Sequence, residues 1–283
     1  MNSTKQRREP WPLPRDPNAS IPKGEGVKSE ELYRWKWHLR LGSLALFAAV
    51  WEYAGRSLGL LTLPPFSITI SALLELLQEG ELWRALWISN QALVIGMAGA
   101  TCLAIPLGIW IGRNDRAERF SDLWLNLVLV TPMAALIPVV ILGLGVGLAA
   151  RSLVVGLFAF AVVTVNTRAG LRSLNPSLVQ MAHSFGASEL QIWRLVLLPG
   201  ALPAIMAGLR LGLCRAIAGM VVVEFLLVAV GIGDLLMRYR ADFESGRVFA
   251  VILLVLAEAV TAVALITCVE IAVAGRTTGE ESP

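Results

Sequence analysis

The sequence predicts an all-α, polytopic membrane protein with about six transmembrane helices, and three observations lead there. The 283-residue chain is 56% hydrophobic and only 16% charged, with a mean hydropathy of +0.67. Its apolar residues gather into runs of about 20 with few charges, the length a helix needs to cross about 30 Å of hydrocarbon at about 1.5 Å per residue. Between two of these runs, residues 175–199 form a polar stretch rich in helix-capping residues, too polar to cross a bilayer itself.

Taken in order, the first 40 residues form a polar tail that carries nine Lys or Arg. Residues 1–28, dense in Pro and charge, lack the apolar content of a fixed fold. From Ser29 the pattern becomes SEELYRWKWHLR, where Tyr33, Trp35 and Trp37 alternate with Arg34, Lys36 and Arg40. Aromatic rings and long cationic chains suit the headgroup layer. Six spans follow, near 41–63, 92–112, 123–150, 152–167, 200–230 and 248–273, so the membrane domain covers about 41–274 and a short tail occupies 275–283. No cleavable signal is visible, because the first apolar run starts near residue 41.

Cytoplasmic loops carry an excess of Lys and Arg. The basic tail therefore places the N-terminus in the cytoplasm, followed there by Arg113, Arg116 and Arg119 and then by the 175–199 loop with Arg168, Arg172 and Arg194 around it. The C-terminus is cytoplasmic as well. Arg238, Arg240 and Arg247 run against the rule, since they fall in an outer loop beside Asp234, Asp242 and Glu244.

The polar stretch reads NPSLVQMAHSFGASELQIWRLVLLP. Asn175 is a good N-cap, Pro176 suits a first helical position, and Ser177 with Gln180 has capping-box spacing. Gly186 breaks the helix, Ser188 with Gln191 repeats the box, and Pro199 closes or kinks the second helix. A helix–turn–helix of this kind in a membrane protein is a docking surface. Phe185, Leu190 and Trp193 are its apolar anchors, set either in a partner or against the chain's own helices.

The same segment resembles the cytoplasmic loop of inner-membrane permease subunits of binding-protein-dependent ABC importers. The match lies at Ala182, Gly186, Ala187, Val196, Leu198 and Pro199; Gln180 stands where that family usually has Glu, and Met181 where it usually has Ala. The continuation Gly200-Ala201-Leu202-Pro203 and Gly208-Leu209-Arg210 is similar to the nitrate/sulfonate/taurine branch, as are Leu63-Pro64-Pro65, GELWRALWIS and ALIPVVILGLGVG upstream. The resemblance implies a subunit of the bacterial inner membrane that forms the pathway for a small sulfonate-like anion. It implies a second copy of the chain as a homodimer partner, cytoplasmic ATPase subunits docked on the loop, and an extracytoplasmic substrate-binding protein. ATP and Mg would be bound by the partner ATPase, with no cofactor in this chain. Gln180 would hydrogen-bond where a Glu makes a charge-assisted contact about twice as strong.

The chain shows no phosphate-loop pattern of its own, no catalytic arrangement of Ser, His and Asp or of paired carboxylates, no metal-ligand spacing and no nucleic-acid-binding motif. The sequence thus reads as a transporter subunit and not an enzyme. Cys102, Cys214 and Cys268 lie in apolar spans and read as buried thiols, and Gly143, Gly145 and Gly147 as a close-packing stripe or a membrane-end turn. Ionisable groups within a bilayer are costly, so Arg210, Arg215 and Glu224 of the fifth span are candidates for the translocation pathway. At 100° per residue, Arg210 and Glu224 lie within about 40° of one another, with Arg215 nearly opposite Glu224. Ion pairs that fix helix packing are the structural alternative; Asn90, Gln91 and Glu258 are further candidates. Two other classes fit the bilayer pattern: an ion-gradient-driven secondary transporter, expected to show internal repeats, and a non-transporting membrane scaffold.

Overall fold

The computed structural model describes residues 29–57, 63–227 and 230–277; the tails expected at 1–28 and 278–283 fall outside them. The described chain is helical, in the order α1 (Ser29–Ser57), α2 (Phe66–Leu76), α3 (Gly80–Arg113), α4 (Asp115–Val130), a 3-10 turn (Met133–Leu136), α5 (Ile137–Leu144), α6 (Leu148–Arg172), α7 (Pro176–Ser184), α8 (Glu189–Ile192), a π-helical turn (Trp193–Leu197), α9 (Leu198–Leu227), α10 (Gly231–Ala241) and α11 (Ser245–Thr277). Contacts divide it within α1, between Trp51 and Glu52. In the first part Phe47 packs edge-on against Trp51, ring centroids 5.8 Å apart. The first expected span is helical as far as Ser57, and residues 58–62 lie outside the described chain.

Among the described residues four helical stretches are long and apolar enough to cross a membrane: α3, α6, α8–α9 taken through the π turn, and α11. The run expected as one span at 123–150 is broken. Helix α4 and the Met133–Leu144 segment meet at 89°, with Pro132 at the break and Pro138 at the start of α5. Proline supplies no N–H and forces the preceding residue out of the helical region, so the bend sits where it must. Gly145 has φ +72° and opens onto free space, as do Gly143 and Gly147; of the two readings of these glycines, the structure takes the turn.

The centre of the bundle is α6 between α3 and α9. Without a hydrophobic drive between helices in lipid, close approach over small residues provides the packing. Helix α3 buries a residue every four positions, Gly96, Ala100, Ala104, Gly108 and Gly112, along one face. A Cβ on Gly96 would lie 2.5 Å from the Ser152 carbonyl oxygen of α6, and one on Gly108 would lie 2.7 Å from Thr167 Cβ. On the other side Gly208 and Gly212 of α9 meet Asn166 and Val163 of α6 as closely. A core of Leu76, Leu82, Val155, Met220, Ile232, Leu235 and Val251 fills the end of the bundle away from α7 and α8.

Large apolar side chains such as Leu103 (68% exposed) and Leu265 (63%) cover the outside, as a surface solvated by lipid requires. The three cysteines correct the sequence reading: all are exposed on the surface of the single chain. Apolar runs show which segments enter the bilayer, whereas helix packing alone decides which side of each faces lipid.

Candidate functional site: the capped loop and the charges of the bundle

The 175–199 stretch folds as two short helices with a tight turn. Asn175 Oδ1 accepts from Ser177 N–H at 3.0 Å and starts α7, with Pro176 at its first position. The Ser177–Gln180 box does not form, because Asn175 has already taken the N-cap two residues earlier. Helix α7 ends when Gly186 N–H donates to His183 O (2.9 Å) and Ala187 N–H donates to Ala182 O (3.1 Å). This paired closure needs a left-handed residue, and Gly186 has φ +75°. The second box is present: Ser188 N–H donates to Gln191 Oε1 at 2.8 Å and Gln191 N–H to Ser188 Oγ at 3.4 Å. Pro199 does not end the second helix. It lies in the first turn of α9, and the π turn before it absorbs the hydrogen bond that proline cannot donate.

The loop presents its apolar residues unevenly. Phe185 is 84% exposed and Leu190 67%, so neither packs on the chain's own bundle. Trp193 does: it is half-buried, with the Arg113 guanidinium 5.1 Å above its ring. Gln180, Gly186 and Leu198 are exposed, while Ala182, Ala187, Val196 and Pro199 are partly covered. Arg113, the last residue of α3, also pairs with Glu189 of α8. That hydrogen bond holds the Glu189 carboxyl below the usual carboxylate range. Nearby, α4 and α6 are cross-linked through Arg168 to Asp122 (2.8 Å) and Arg172 to Asp115 and Glu118 (2.7 Å each).

The other end is held differently. Glu224 of α9 is fully buried. Ser89 Oγ of α3 donates to its Oε2 at 2.6 Å, Gly233 N–H of α10 donates to the same oxygen at 3.3 Å, and Arg151 Nη1 of α6 donates to Oε1 at 3.3 Å. Ser89 Oγ in turn accepts from Ile232 N–H at 3.0 Å. Four helices therefore meet on one carboxylate. A Cβ at Gly231 (φ +65°) would lie 2.3 Å from Ser89 Oγ, and one at Gly233 would lie 2.4 Å from the Glu224 carbonyl carbon. The cationic residues that broke the positive-inside pattern are largely neutralised here: Arg238 pairs with Glu81 (2.6 Å) and Asp234 (3.0 Å), and Arg247 with Glu79 (3.3 Å) and Glu244 (3.2 Å).

The three charges of α9 separate. Glu224 faces the bundle, Arg210 pairs with Glu270 of α11 at 2.6 Å, and Arg215 is exposed with no partner among the described residues. Arg215 lines a cleft of about 200 Å³ against the α4–α5 break, with Thr131, Pro132 and Met133. Asn90 and Glu258 line a separate cleft between α3 and α11, with Trp83 and Trp87; Gln91 is partly buried beside it in sequence. Arg151 and Ser89 are the residues that sequence reasoning missed. Arg151 is the lone charge between the apolar runs at 123–150 and 152–167; its position between such runs was the available signal that it had a buried partner.

Residues 104–274 match the family described as binding-protein-dependent transport system inner membrane components. The chain belongs to this family. The permease is 35% identical over 225 residues to the putative aliphatic sulfonates transport permease SsuC of Escherichia coli K12, covering 77% of this chain and 85% of that one. It is 29% identical over 213 residues to the taurine transport system permease TauC of the same organism, covering 71% and 78%. Among solved structures, its fold is similar to that of the MetNI methionine ABC transporter in inward-facing conformations, with a TM-score of 0.58 at 22% identity over 70% of this chain and 96% of that one.

Proposed function

We propose that this permease forms half of the pathway of an importer for small organic sulfonates, driven by a separate ATPase that docks on the α7–α8 loop. The exposure of Phe185 and Leu190 carries the docking: two large apolar side chains project from a rigid, doubly capped turn and stay uncovered by the described residues. ATP and Mg belong to that ATPase in this reading. The loop end, with both termini, is cytoplasmic; α10 and its ion pairs face outward, where a substrate-binding protein delivers its ligand. A second copy of the permease completes the pathway.

Similarity to permeases named for aliphatic sulfonates and taurine supports an anionic substrate. So does Arg215. A guanidinium within an apolar span is unfavourable by about 2.5–3.5 kcal/mol on insertion scales unless it meets a partner or water. Arg215 has no partner among the described residues, so it belongs on a wet pathway, where it attracts an anion. Arg210 and Glu224, each paired, hold helices together on this reading.

Co-expression with the neighbouring ATPase and binding protein, followed by uptake of a labelled alkanesulfonate into proteoliposomes, tests the proposal. ATP-dependent uptake that falls at least tenfold in Arg215→Gln, with the assembly intact, is the expected result. Uptake driven by an ion gradient without ATP would replace the importer by a secondary transporter.

A further inference from the structure

At the loop end, a cleft of about 640 Å³ opens between the end of α3, the start of α4 and the π turn, and its lining is mainly basic and aromatic: Trp110, Arg113, Arg116, Arg119 and Trp193, with Asn114 and Asp115. Asn114 caps α4, its Oδ1 accepting from Arg116 N–H and Ala117 N–H. Asp115 also lines the cleft, with its carboxylate paired to Arg172 of α6 at 2.7 Å. Asp115, Glu118 and Asp122 occupy one face, where they bind Arg168 and Arg172 of α6. On a helical wheel Arg116 lies about 100° and Arg119 about 40° round from Asp115, both on the side away from Glu118 and Asp122. Neither arginine has an ion-pair partner among the described residues.

The cleft lies at headgroup depth. It begins where the charge-free run of α3 stops at Arg113, and Trp110, one turn earlier, is 56% exposed, as an interfacial ring is. Two unpaired guanidiniums present planar, bidentate donors suited to a phosphate. The adjoining apolar surface of α3 runs into the bilayer. We propose that this cleft binds the phosphate of an anionic phospholipid, with Arg116 and Arg119 holding the headgroup and Trp110 lying along its glycerol and upper acyl chain. Arg113 links the site to the loop: it lines the cleft and also holds Glu189 and covers Trp193. An occupying phosphate competes with Glu189 for Arg113, so headgroup binding and loop position are coupled. The inference rests on α3 crossing the membrane and does not depend on the substrate or the ATPase.

The test is the melting temperature of the purified permease in detergent, read with added phosphatidylglycerol, phosphatidylcholine or 10 mM inorganic phosphate. Phosphatidylglycerol is expected to raise Tm by several degrees and phosphatidylcholine not to. The selectivity is expected to vanish in Arg116→Gln/Arg119→Gln and persist in Arg116→Lys/Arg119→Lys, which keeps the charge and controls for folding. Native mass spectrometry should show a several-fold drop in retained anionic lipid for the Gln pair alone. Unchanged selectivity in the Gln pair overturns the site. An equal Tm rise with inorganic phosphate assigns the cleft to a soluble anion and overturns the lipid. Loss of ATPase co-purification in the Gln pair with lipid selectivity intact overturns it in favour of a protein contact.

Discussion

The two ends of this permease use charge in opposite ways. At the α10 end one buried carboxylate, Glu224, ties α3, α6, α9 and α10 together through Ser89, Arg151 and the Gly233 backbone. At the loop end the link between α3 and α8 is the Arg113–Glu189 pair, with side chains 44% and 59% exposed. A buried pair is strongly destabilising to break because the survivor stays desolvated, whereas an exposed pair exchanges its partner for water at little loss. The α10 end is thus built to stay assembled, and the loop end to be held in place while remaining free to move with a partner.

The largest expected effect breaks the α10 end. Glu224→Ala leaves Arg151 buried and uncompensated, a loss of about 3–5 kcal/mol, and should lower the melting temperature of the purified permease severely. Replacing both partners in Glu224→Gln/Arg151→Met should recover much of it. No recovery in the double variant would mean that Ser89 and the α10 backbone, and not the ion pair, hold the cluster. Gly233→Val should fail in the same way, because its side chain enters the space of Glu224.

At the loop end the fold should survive while coupling fails. Gly186→Val forces a β-branched residue to φ +75°, so the α7–α8 turn cannot close; membrane insertion and Tm should be near normal and ATP-driven uptake absent. Normal uptake in this variant would remove the turn from the mechanism. A smaller effect is expected from Phe185→Ala/Leu190→Ala, which should weaken ATPase co-purification about tenfold or more without altering Tm. Trp193→Ala should shift Tm more than association, since that ring packs under Arg113.

The smallest effect should come from Arg113–Glu189 itself. Arg113→Gln is expected to change coupling by no more than a few-fold. The Glu189 carboxyl is held below its ordinary value of 4.5, first by the Arg113 hydrogen bond. A depressed carboxylate contributes fully above its unfolded value and loses that contribution only as pH falls through the folded one. ATPase activity should therefore show no Glu189-dependent change between pH 8 and pH 5, checked by comparing wild type with Glu189→Gln. A difference in slope across that range would show that Arg113 does not hold this carboxylate.

Much of this arrangement was legible beforehand. The Asn175 and Ser188 caps and the Gly186 break are local signals: they depend on hydrogen bonds and dihedral limits within a few residues, and all three appear in the structure. The Ser177–Gln180 box failed because two caps competed for one helix start, and no spacing rule ranks them. The bend at Pro132 hid inside a charge-free run, since mean apolarity carries no direction.

What the sequence determined by itself is therefore the membrane-spanning helical class, the position of the capped loop, and which residues carry charge where charge is unfavourable. Only the tertiary structure decided how those charges divide. Glu224 found Arg151 across 73 residues and Arg210 found Glu270 across 60, while Arg215 was left open to the cleft and the cysteines were turned outward. Helical period gives relative angles on one helix. The absolute rotation of that helix is set by which small residues let its neighbours approach, and here those are the glycine and alanine contacts of α3, α6 and α9.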